Sequence, residues 1–122
     1  MSLVDRVLIV LASLSGLLGV ALSAAAAHLA GDNLATAAQF LLFHAPAILG
    51  LVALMAAGAA NATLARLAGF ALVLGLALFC GDLSRRAFSG AALFPKAAPT
   101  GGILLMIGWV LTGASALLRL RT

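Results

Sequence analysis

Charge is what this chain has least of: only 8% of its 122 residues are Asp, Glu, Lys or Arg, against about a quarter in a soluble domain. With 65% hydrophobic residues and a mean hydropathy of +1.25, a water-soluble fold is excluded. Cysteine is nearly absent too. The single Cys80 rules out an internal disulfide and a cysteine-based zinc site, and its apolar neighbours place it inside a helix. There is no Gly-rich phosphate loop, no His-Glu-x-x-His, no nucleophile elbow, and no polar domain in which to build a cleft. Neither an enzyme nor a cofactor is expected.

What is present are long apolar runs. A helix needs about 20 apolar residues to cross a hydrocarbon core about 30 Å thick, so four crossings consume about 80 residues and leave short connections. The sequence predicts helices over about Val7–Leu29, Thr36–Ala59, Leu64–Arg85 and Gly101–Leu118, in one domain covering residues 1–122. The run from Val7 to Ala27, 21 residues behind Arg6, is longer than a signal-peptide apolar core, so a retained span is expected.

Turn chemistry separates the spans. Gly31, Asp32 and Asn33 stop the first helix, and Thr36-Ala37-Ala38-Gln39 fits a capping box opening the second. Asn61-Ala62-Thr63 is read as a turn with Thr63 capping the third, and not as a glycosylation site. The longest break, Ser89 to Thr100, contains Gly90, Pro95, Lys96 and Pro99. Short links imply an all-α, antiparallel four-helix bundle in the membrane, with both termini on one side.

The isoelectric point near 11.3 does not imply nucleic acid, because seven Lys or Arg scattered over links and tails form no basic stripe. They act as orientation signals. Arg6, Arg66, Arg119 and Arg121 lie on the side of the termini, against Arg85, Arg86 and Lys96 on the other. The expectation is a multi-pass protein of the bacterial inner membrane with cytoplasmic termini.

Helices in lipid associate through close approach at small residues. Ser15, Gly19, Ser23 and Ala27 recur every four residues on the first helix, with Ala12 and Gly16 beside them. Gly108, Thr112 and Ala116 repeat the pattern on the fourth helix, and Ala65 with Gly69 on the third. These faces join helices within one chain or join copies of it into an oligomer, and the first use is the commoner.

Polar groups near the membrane supply the candidate functional residues. His28 and Asp32, four apart at the exit of the first helix, read as an interfacial pair, with Asp32 capping the next helix. His44 lies about two turns inside the second helix, where a polar ring needs a partner. Pro46 frees the Leu42 carbonyl nearby, and a hydrogen-bonded packing role competes with proton relay or ligand contact. Asp82 precedes Arg85 and Arg86 by three and four residues, the spacing of a pair at a solvated helix end. His28, His44 and Asp32 make only a weak metal set. Trp109 is placed within the bundle or at its lipid surface.

Several ordered motifs carry a resemblance: Ala27-His28; Thr36-Ala37-Ala38-Gln39-Phe40 leading to Phe43-His44-Ala45; Phe79-Cys80-Gly81-Asp82-Leu83; Ala98-Pro99-Thr100-Gly101-Gly102; and Gly108-Trp109. Over nearly its whole length the chain resembles small four-helix membrane proteins of domain-of-unknown-function family 423, related to transmembrane protein 256. That resemblance implies the four-helix fold and no activity. The family pattern often has Gly-Ala-Phe-Gly-Ala-His and Ser-Gly-Ser-Leu-Tyr where this chain has Ala24-Ala25-Ala26-Ala27-His28 and Cys80-Gly81-Asp82-Leu83-Ser84. The function expected is non-enzymatic: an accessory subunit packing against itself or a larger membrane complex. The rival is a small proton or solute transporter using His44 and Asp82.

Overall fold

In the computed structural model, which describes residues 1–119, the chain forms four helices: α1 Leu3–Ala26, α2 Asn33–Ala56, α3 Ala62–Ser89 and α4 Ala97–Arg119. All four are long and apolar enough to cross a membrane, and no strand occurs among the described residues. Arg121 lies outside them.

The helix ends differ from the sequence expectation, each for a local reason. α1 begins four residues before the apolar run because Ser2 and Asp5 close a capping box: the Asp5 N–H donates to Ser2 Oγ at 3.2 Å, and the Ser2 N–H donates to Asp5 Oδ2 at 3.1 Å. Two helix-end donors are thereby satisfied. The Thr36–Gln39 box does not form, because α2 has already started at Asn33 and the Thr36 N–H bonds the Asp32 carbonyl at 2.9 Å. Asp32 is the N-cap residue but makes no side-chain cap bond. For α3 the cap is Asn61 and not Thr63, with Asn61 Oδ1 accepting from the Leu64 N–H at 3.1 Å. α3 then runs to Ser89 and ends on Gly90 at φ 75°, where glycine's missing Cβ makes the left-handed turn cheap. α4 starts at Ala97, so Pro99 sits in its first turn, where the absent N–H costs no helical bond.

Cross-helix contacts fix the directions. Arg66 at the start of α3 pairs with Asp5 at the start of α1. The Asn61 N–H donates to the Ser115 carbonyl near the end of α4 at 2.8 Å, and Arg119 Nε donates to the Gly58 carbonyl at 2.9 Å. One end of the bundle therefore gathers the start of α1, the α2–α3 link and the end of α4; this is up-down-up-down topology.

Each helix packs chiefly on its sequence neighbour, α3 on α4 and α1 on α2 most extensively, then α2 on α3, while α1 touches α3 only slightly and shares no extensive interface with α4. Small residues set these approaches. A Cβ on Gly19 would stand 2.8 Å from Leu42 Cγ, and one on Gly69 would stand 3.0 Å from Leu8 Cδ1. A Cβ on Gly108 would meet Leu72 Cδ2 at 2.6 Å. The tightest crossing joins α3 to α4 at Gly75 and Gly101: a Cβ on Gly101 would lie 2.5 Å from the Phe79 nitrogen and 2.8 Å from the Gly75 carbonyl oxygen.

The α1 stripe is only partly used. Ala12, Ser15 and Gly19 are buried, but Ser23 and Ala27 are exposed, because α1 ends at Ala26 just as the chain turns away toward α2. On α4, Gly108 is buried and Thr112 half-buried, its hydroxyl donating to the Gly108 carbonyl at 2.8 Å, while Ala116 is exposed. Behind these faces Leu8, Ala12, Leu41, Ile48, Leu72, Leu76 and Leu105 form the main apolar cluster.

Candidate functional site

Polar chemistry inside the bundle gathers at three places, and none of its buried side-chain N or O atoms among the described residues lacks a partner.

His44, near the middle of α2, is 7% exposed. Its Nδ1 lies 2.7 Å from the Phe40 carbonyl oxygen, and its Nε2 lies 3.1 Å from Nε1 of Trp109 on α4. An indole nitrogen can only donate, so Nε2 accepts and the ring proton sits on Nδ1, directed at Phe40. The expected bond to another helix forms, though its partner is an indole donor and not a hydroxyl or carbonyl, and the Leu42 carbonyl freed by Pro46 is not used. A helical side chain leans back toward residues one turn earlier, which brings Phe40 into reach, while Leu42 two residues back lies across the helix. Phe40 stacks on the imidazole at 5.8 Å and meets Phe79 of α3 at 4.5 Å between ring centroids. This aromatic set links α2, α3 and α4.

The His44–Trp109 bond has a measurable worth. Hydrogen bonds between membrane helices average about 0.6 kcal/mol and reach about 1.7. A double-mutant cycle of His44→Leu and Trp109→Phe, followed by unfolding in detergent, should give a coupling in that range. Strict additivity of the two substitutions would show that the bond does not contribute.

Asp82 departs from the solvated helix end expected of it. It is completely buried, because α3 continues two turns beyond it and the following segment folds back over it. Arg86 Nε donates to Oδ2 and the Leu93 N–H donates to Oδ1, both at 2.8 Å. One carboxylate thus clasps the end of α3 to the α3–α4 link. Arg86, one turn on, is the arginine used; Arg85 is exposed.

At the other end, Asp5 is 4% exposed and receives Arg66 Nε at 2.9 Å and Nη2 at 3.3 Å, a two-pronged contact. Sequence reading missed this residue. The signal available was the Ser2-x-x-Asp5 cap pattern, which lies outside the apolar run.

His28 and Asp32 are exposed on the α1–α2 turn and make no side-chain hydrogen bond among the described residues. The weak metal set does not assemble. His44 sits about 16 Å along α2 from its start, and no group of three or more His, Cys, Asp or Glu gathers closely enough to hold a metal among the described residues.

Four apolar helices with their inward polar groups bonded to one another define a small integral membrane protein of the four-helix type. Within that class the chain belongs to the DUF423 family, described as protein of unknown function, whose sequence profile matches residues 22–102. The matched segment contains His44, Asp82 and Arg86 and stops short of the Gly108-Trp109 pair included in the resemblance above. No solved structure matches the chain.

Proposed function

We propose that this protein is a non-enzymatic accessory subunit of a membrane assembly, acting through helix contacts with copies of itself or with a larger complex. The observation that carries the reading is the mutual satisfaction of its interior polar groups. Both nitrogens of His44 and both oxygens of Asp82 are engaged within the chain, so neither stands ready to pass a proton or hold a solute. A second feature agrees with it. α4 packs extensively only on α3, leaving Ile103, Met106, Val110 and Leu117 more than half exposed as a surface for lipid or another helix.

The same proposal places the protein in a bacterial inner membrane with cytoplasmic termini. The Lys and Arg balance of four to three, Arg121 included, supports that orientation.

Purified protein in liposomes should pass protons no faster than empty liposomes, and mild-detergent extracts should retain it in a particle larger than one chain. A proton flux abolished by His44→Leu, with the fold intact, would overturn the accessory reading in favour of transport.

A further inference from the structure

α1 and α3 meet at the end that holds their starts, where Asp5 pairs with Arg66 and Leu8 packs beneath Gly69. Beyond that meeting a groove of about 420 Å³ separates them. Its floor is Leu41 of α2, and its walls run from Leu11 to Leu22 on α1 and from Val73 to Ser84 on α3. Each wall is about 16 Å long at the helical rise of 1.5 Å per residue. The groove runs from near the middle of α1 and α3 toward the end that holds the α1–α2 turn, a length close to the roughly 15 Å of one leaflet, half of the hydrocarbon core.

Two features of the α3 wall matter. Ala77 is exposed, and a Cβ on Gly81 would find no neighbour nearer than 3.6 Å, so close packing within the chain does not require a glycine there. At the outer end, Ser84 is followed by Arg85, which is exposed and makes no ion pair among the described residues. Of the acids at this end of the bundle, Asp82 is buried against Arg86, and Asp32 lies on the α1–α2 turn.

The lining is almost wholly apolar, with Ser15 and Ser84 its only hydroxyls, and Arg85 follows directly on Ser84. An apolar trough about as long as half the hydrocarbon core, with a positive charge just past its end, matches one acyl chain beneath an anionic headgroup.

We propose that the groove is a specific lipid site, holding one acyl chain of an anionic phospholipid of that leaflet with the lipid phosphate against Arg85. This is independent of the accessory role, since the site belongs to the single chain.

The test is native mass spectrometry of the detergent-purified chain, titrated with phosphatidylglycerol or with phosphatidylcholine of identical acyl chains. One phosphatidylglycerol should be retained per chain, about fivefold more tightly than phosphatidylcholine, which corresponds to about 1 kcal/mol for one cation at an anionic lipid. Arg85→Gln should erase the preference and leave the weaker binding. Ala77→Phe, and independently Ser84→Leu, should block retention of both lipids, whereas Leu74→Phe, on an exposed part of α3 outside the groove, should change neither. Thermal unfolding of each variant reports whether it folds, and the two filling substitutions serve as alternatives should one not. An unchanged lipid preference in Arg85→Gln, or unchanged retention in a folded groove-filling variant, would overturn the proposal. So would a dimer that releases on filling the groove, which would assign the groove to a second copy.

Discussion

Gly101→Leu should separate α4 from α3 and lower stability by about 3 kcal/mol or more, the upper end of what overpacking usually costs. At most sites an added side chain displaces another side chain, which can turn aside. Here the obstacles are the Phe79 nitrogen and the Gly75 carbonyl oxygen, at 2.5 and 2.8 Å from the position of the new Cβ. Backbone cannot yield without moving a whole helix. Gly102→Leu is the matched control, because nothing lies within 4 Å of its added Cβ; it should not lower stability, and leucine's better helix propensity raises it by at most about 1 kcal/mol. Unfolding of both variants in detergent, followed by circular dichroism, checks the pair. Indistinguishable curves would show that the helices do not cross at Gly101.

The second large effect is expected at Asp82. Asp82→Leu strips the Leu93 N–H of its acceptor and leaves Arg86 without its carboxylate. Breaking a buried pair costs about 3 to 5 kcal/mol, but the Arg86 side chain is 46% exposed and recovers solvation at the membrane surface. A loss of about 2 kcal/mol is expected, the cost of one orphaned amide and a partly relieved charge. Asp82→Asn keeps an oxygen for Leu93 and should fall between the parent and the leucine variant. Hydrogen exchange at the Leu93 amide distinguishes the two substitutions, fast in Asp82→Leu and slow in Asp82→Asn. A leucine variant as stable as the parent would mean that Asp82 does not clasp the link.

The four spans are legible in the sequence because hydrocarbon imposes one rule on every residue of a span, and a long apolar run records it. The helix ends are not read the same way. Ser2 and Asp5 extend α1 into sequence that hydropathy alone would leave as a tail. Thr36 and Gln39 match a capping box that an earlier start makes redundant, and Pro99 looks like a breaker although it lies where a helix tolerates it. Local patterns compete at helix ends, and the tertiary contacts choose among them.

The site was legible to a different degree. The inward turn of His44 follows from the cost of an imidazole in lipid, but Trp109 as its partner does not, because the two residues lie on helices that are not neighbours in sequence. The Asp82–Arg86 spacing is local and visible, whereas the burial of that pair depends on a link folding back from Leu93. Asp5 and Arg66 show the limit most clearly: each has a sufficient local explanation, as a cap residue and as an orientation charge. Only their meeting shows the tie between α1 and α3.

Because the extensive interfaces all join helices consecutive in the chain, the order of packing can follow the order of synthesis. α1 and α2 can dock before α3 has been made, and α4 takes α3 as its main template, with the His44–Trp109 bond to α2 added. Most contacts then form between segments made in succession, which favours rapid assembly. Asp5 is one exception, with its cation 61 residues downstream, and the His44–Trp109 bond, spanning 65 residues, is another. Until Arg66 emerges from the ribosome, the Asp5 carboxylate has only the cap at Ser2 as its partner, so the tie between α1 and α3 closes only once the third helix has begun.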